Sequence, residues 1–197
     1  MQFNEPRLKR SLERMPKPNR VAFAAASAER LYPYYLNFHK KTNLGKPDVL
    51  RDALTFVWEN LHDRMMEEER LKQLIIECKA LIPEEDDSWV DETEFAENSV
   101  VAIYYTLKCK QTGEAQDAIW AARRSYDTVD SFVTWKNDID ISADDAEEII
   151  LANPLVQAEL TYQAEDLNDL SEPDVNFAKI RERAESNAGF LLARSAH

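Results

Sequence analysis

Along most of the chain, apolar side chains recur at steps of three and four, the period of one face of a helix. Leu50, Leu54, Val57, Trp58 and Leu61 form such a stripe behind Pro47-Asp48, and Leu71, Leu74, Ile75, Cys78 and Leu81 form another that Pro83 ends. A third stripe follows Gly113, with Ala115, Ala118, Ile119, Ala122, Tyr126, Val129 and Phe132 on its inner face. Prolines mark the joints, because the first turn of a helix tolerates a missing N–H. A first short helix is predicted from Asn4-Glu5-Pro6 to a point before Pro16. A second runs from Pro18-Asn19 to about Lys41, with Gly45 as its C-cap and Pro33 inside it, where a kink or break is expected.

Residues 91–111 contain neither Gly nor Pro, and Val100 to Leu107 has the composition of a strand. Periodicity alone does not separate a buried strand from a buried helix in so short a run. The length around it and the lack of a partner strand assign a central helix. Glu84-Glu85-Asp86-Asp87-Ser88 reads as a solvated loop. Ser142-x-x-Asp145 reads as a capping box with Asp in place of Glu, opening a short helix that ends before Asn153-Pro154. Helices over 154–170 and 173–187 complete an all-α chain: a single compact bundle of eight or nine helices, one domain over 1–197.

Composition narrows the chemistry. The chain has three glycines, Gly45, Gly113 and Gly189, so no G-x-G-x-x-G, Walker loop or G-x-S-x-G exists in it. Cys78 and Cys109 are far apart in the chain and outside any C-x-x-C, which reads as two reduced core thiols of a cytoplasmic protein. No apolar run approaches a membrane span and the N-terminus has no apolar signal core, so neither a membrane segment nor a leader is expected.

Charge is uneven: residues 1–82 carry +4 and residues 83–197 carry −17, against −13 for the whole chain. Between Lys136 and Lys179 there is no basic side chain, while twelve acids occur. Such a surface repels nucleic acid and anionic lipid and favours a basic protein as partner. Asp138, Asp140, Asp144, Asp145, Glu147 and Glu148 crowd eleven residues and are the candidate partner-binding set.

Metal and nucleophile signals are thin. Glu59-x-x-His62 occurs once, whereas a di-iron bundle needs two such pairs and two further glutamates. An EF-hand loop numbered from Asp138 has Ala143 where glycine makes the turn and Ile149 where a bidentate glutamate closes the site. No metal and no cofactor is expected, and no catalytic residue is identifiable with only His39, His62 and His197 as histidines.

The aromatic run Leu31-Tyr32-Pro33-Tyr34-Tyr35-x-x-Phe38 belongs to a longer pattern. Glu29-Arg30-Leu31-Tyr32-Pro33-x-Tyr35-x-x-Phe38, Thr42-x-x-Gly45, Leu54-x-x-x-Trp58-Glu59-x-Leu61, Asn153-Pro154-x-Val156-x-x-Glu159 and Glu185-Ser186-Asn187-x-Gly189 follow in order. Together they resemble the YjaG-like bacterial family, grouped as domain of unknown function 416, over nearly the whole chain. The resemblance implies an all-α cytoplasmic bacterial protein and brings no reaction. It also marks Glu29, Tyr32, Tyr35, Trp58 and Asn187 as a possible shared pocket. Two functions are therefore in view: a non-enzymatic binding protein that turns its acidic C-terminal half to a basic partner, or a small-molecule-binding or enzymatic bundle with its pocket at the Tyr32–Tyr35 kink. Oligomeric state is open.

Overall fold

Asn4, Asn153 and Asn176 begin three helices in the same way, each side chain accepting a backbone N–H of the first turn: Arg7 at 2.9 Å, Leu155 at 2.9 Å and Lys179 at 3.0 Å. Each satisfies one of the orphan donors at a helix start. The computed structural model describes residues 1–62, 67–83 and 93–192. Among them are nine helices and no strand: α1 (Glu5–Glu13), α2 (Lys17–Thr42), α3 (Pro47–Glu59), α4 (Glu68–Lys79), α5 (Thr93–Thr112), α6 (Ala115–Lys136), α7 (Ala146–Ala152), α8 (Pro154–Leu170) and α9 (Phe177–Ser186). Val100 to Leu107 is helical, inside α5. The expected loop 84–88, residues 91 and 92, and His197 lie outside the described residues.

Several ends differ from the sequence pattern. The left-handed residue that closes α2 is Asn43 at φ 58, whose N–H reaches the His39 carbonyl at 2.8 Å; Gly45 follows two residues later. Ser142 does not cap α7. Its amide and hydroxyl turn back onto Asp140 Oδ1 at 2.9 and 2.6 Å, because a charged acceptor two residues upstream outcompetes a helix start four residues away. α9 begins at Phe177 rather than near 173, where Asn176 supplies the cap that Pro173 lacks.

Pro33 does not break α2, which is helical without interruption from Lys17 to Thr42. Its surroundings hold it there. The Gly189 amide donates to the Arg30 carbonyl at 3.0 Å and the Leu191 amide to the Tyr34 hydroxyl at 3.2 Å, so the segment after α9 closes over the proline. Burial of Tyr34 and Tyr35 directly after it adds to that support, against a cost of about 3 kcal/mol for an internal proline.

α2 is the axis of the fold. Ala22, Ala24, Ala25, Ala26 and Ala28 are fully sealed, which fits a helix enclosed on all sides rather than one with a single buried stripe. It lies against α3, α5, α6, α8 and α9. Small side chains let α5 approach closely, and Ser99 Oγ of α5 donates to the Leu31 carbonyl of α2 at 2.7 Å. No helix among the described residues is long and apolar enough to cross a membrane.

Candidate functional site

The tyrosine stretch of α2 brings some of the candidate pocket residues together. Glu29, with 1% of its surface exposed, accepts from Arg51 Nη1 at 3.0 and 2.9 Å and from Trp58 Nε1 at 3.1 Å. The Arg51 guanidinium stacks 4.1 Å from the centre of the Tyr32 ring. Burial raises the Glu29 carboxyl above its ordinary pKa, and the Arg51 and Trp58 donors pull it only part of the way back. Tyr35 is drawn elsewhere: its hydroxyl accepts from the Lys46 amide at 3.2 Å. Gly45 makes room for it, since a Cβ there would lie 2.1 Å from that oxygen. Tyr32 donates to the Pro47 carbonyl at 3.3 Å. Asn187 follows α9, half-buried, as its C-cap and makes no hydrogen bond to Glu29, Tyr32, Tyr35 or Trp58. The polar atoms of this cluster are thus committed to joining α2, α3 and the loop between them.

Arg30, the neighbour of Glu29, anchors a second network that sequence reasoning missed. Fully buried, it donates to Glu159 through Nε at 3.0 Å and Nη2 at 3.1 Å, and to Asp166 through Nη1 at 2.8 Å. Burial works against its charge, but the two carboxylates outweigh that and raise its pKa. Asp166 also accepts from Arg183 Nη2 at 2.6 Å, and Arg183 continues to Asp169 at 2.6 Å. Gln163 Nε2 donates to Glu159 at 2.8 Å and to the Ala122 carbonyl at 3.1 Å. Two arginines from α2 and α9 therefore answer the carboxylates of α8, and the buried charges are balanced. Arg30 and Glu159 stand in the motifs quoted above, and that was the available signal; by residue type alone they read as surface charges.

This network changes the account of the acidic half. Of the twelve acids between Lys136 and Lys179, Glu159 and Asp166 are interior, and Asp169 is paired with Arg183 and with Lys179 at 3.6 Å. Asp138, Asp140, Asp144, Asp145, Glu147 and Glu148 are all exposed. Asp138, Asp140 and Asp145 line one shallow concavity of about 380 Å³ with Ile139, Ala146 and Ile149, while Asp144, Glu147 and Glu148 lie outside its lining. Asp138 is left-handed at φ 49, and the Ser142 donors hold the Asp140 carboxyl below its ordinary pKa. Three large apolar side chains are exposed beside these acids: Trp135 at 61%, Ile141 at 76% and Ile149 at 48%.

Cys78 and Cys109 are sealed in the core, where burial pushes both thiols up to about 12, far from a reactive thiolate. Among the described residues no group of three His, Cys, Asp or Glu side chains is placed to hold a metal. Glu59 and His62 are both exposed, and the His62 ring meets Phe177 edge-on at 5.0 Å. His62 lines the wall of a larger cleft of about 820 Å³ between the α1–α2 joint and the α8–α9 loop.

Comparison with known proteins matches residues 7–189 to a family of proteins of unknown function, DUF416. The uncharacterized protein YjaG of Salmonella typhimurium is 29% identical over 187 residues, spanning 90% of this chain and 93% of that protein. YjaG of Escherichia coli strain K12 is 28% identical over 190 residues, spanning 92% and 94%. A crystal structure of a DUF416 family protein from Shewanella baltica OS155 shares the fold with a TM-score of 0.80 at 22% identity, covering 90% of this chain and 92% of that one.

Proposed function

The chain belongs to the DUF416 family of bacterial proteins of unknown function, and from that premise we propose that it is a non-enzymatic cytoplasmic binding protein whose acidic rim between α6 and α8 takes a basic partner protein. One observation carries the reading: Trp135, Ile141 and Ile149 stand exposed among six exposed carboxylates. Carboxylates alone would serve solubility. Carboxylates interleaved with large apolar side chains suit a segment that presents lysine or arginine beside leucine-like residues, such as an amphipathic basic helix. The charge steers the encounter, and apolar burial slows release. Against the competing pocket at Glu29, Tyr32, Tyr35 and Trp58 stands the commitment of their polar atoms to one another and to the backbone.

The test uses an amphipathic lysine-leucine helical peptide and a scrambled peptide of equal charge. Asp138→Asn/Asp144→Asn/Asp145→Asn removes charge while keeping residues that tolerate the left-handed and cap positions. Association of the amphipathic peptide should slow by about tenfold or more in the variant and with rising salt. Ile141→Ser should speed its dissociation. Equal binding of the scrambled peptide, or binding indifferent to salt and to the triple variant, would refute the reading.

A further inference from the structure

The 820 Å³ cleft lies away from the acidic rim, and its volume falls in the range of small-molecule sites. Four pieces of chain far apart in sequence meet there: the end of α1, the start of α2, the residue after Leu61, and the α8–α9 loop with the first residue of α9. Their chemistry is mixed. Arg14 and His62 bring basic groups, Glu172 and Asp174 bring carboxylates, Asn19 is a buried amide and Phe177 an apolar wall.

Asn19 is the telling residue. It is 7% exposed, and its Nδ2 donates to the Leu170 carbonyl at 2.7 Å, which sets the orientation of the amide. No donor among the described residues reaches its Oδ1. Yet among described side-chain N and O atoms shut off from solvent, Thr134 Oγ1 alone lacks a partner. Asn19 Oδ1 is therefore not sealed, and the space it opens on is the cleft it lines. A largely buried carbonyl held in place with no protein donor is a ready acceptor for a ligand N–H, since leaving such an atom unpaired costs more than exposing it on an open surface.

We propose that this cleft binds a small zwitterion, an amino acid or short peptide, with its ammonium group on Asn19 Oδ1 and its carboxylate on Arg14. Glu172 and Asp174 supply the counter-charge for the ammonium end. His62, against Phe177, adds a second donor for the carboxylate through its ring N–H. A purely anionic ligand would meet Glu172 and Asp174, and a purely cationic one would meet Arg14. A molecule with both charges satisfies all of them.

Calorimetric titration of the full chain with the common L-amino acids and a set of dipeptides tests this, each compared with its N-acetyl and C-amide derivatives. At least one compound should saturate, and either blocking group should weaken it by about tenfold or more. In Arg14→Ala the free acid and the amide should bind alike. In Asp174→Asn the penalty for N-acetylation should shrink. Both positions are exposed, and circular dichroism confirms that the variants fold. Saturation by no member of the panel overturns the proposal. So does a compound whose binding ignores both derivatives, or whose response to them is the same in Arg14→Ala as in the parent chain. None of these results bears on the acidic rim.

Discussion

At position 189 a side chain is opposed twice over: the backbone sits at φ 64, and a Cβ would lie 2.7 Å from Pro33 Cβ. Gly189→Ala must move the closing segment off α2 or hold it strained, so urea denaturation should show a loss of about 1–3 kcal/mol. A loss within about 0.5 kcal/mol would place that segment's anchoring elsewhere. Glu29 carries a different prediction. Burial, the largest influence, raises its carboxyl above the ordinary 4.5, so the folded chain holds that proton more tightly than the unfolded chain does. Ionising Glu29 then costs stability as pH rises from 4.5 through the raised folded value, and the cost is absent below 4.5. In Glu29→Gln this contribution is gone. The stability difference, variant minus parent, should climb through that window and stay flat below it; a difference independent of pH would refute the assignment. The sequence pattern singled out both residues, but neither the proline facing Gly189 nor the two donors on Glu29 could be read there, because each contact joins elements distant in the chain.

Among elements, the strongest single tie is Arg30, which joins α2 to α8 and, through Asp166, to α9. Arg30→Met leaves Glu159 and Asp166 in the interior with less compensation, so denaturation should show a loss of about 3–5 kcal/mol. Adding Glu159→Leu removes one of the stranded charges and should recover part of it. A double variant no more stable than the single one would mean that the arginine's own side-chain contacts, rather than charge pairing, hold the helices. Helix existence was legible because periodicity is local: α3, α4 and α6 fall where their stripes put them, and Asn4-Glu5-Pro6 and Asn153-Pro154 begin α1 and α8 as read. The failures were also local signals, overruled by competitors. Asp140 took Ser142 from α7, and Asn43 took the cap role from Gly45; of the kink or break expected at Pro33, the break is absent, and α2 runs on through it.

On the scale of the whole molecule, a net charge of −13 sets surface repulsion against pairs worth little individually. Exposed pairs such as Lys72–Glu69 and Arg181–Glu185 contribute little, and salt screens them as it screens the repulsion. The buried Arg30 network is screened far less. Thermal stability should therefore rise as ionic strength increases from about 0.01 M to about 0.15 M. A fall would show that the exposed pairs outweigh the repulsion. The sequence by itself determined the all-helical class, the joints, the scarcity of glycine loops and the resemblance to a family, since each depends on neighbours within a few residues. Only the tertiary structure decided which charges are surface and which are core. An acid in α8 has the same local sequence whether or not an arginine from α2 lies over it, and the cost of burying it is met by a residue more than a hundred positions away. The same holds for Asn19, whose open carbonyl becomes a feature only once α1, α2 and the α8–α9 loop enclose it.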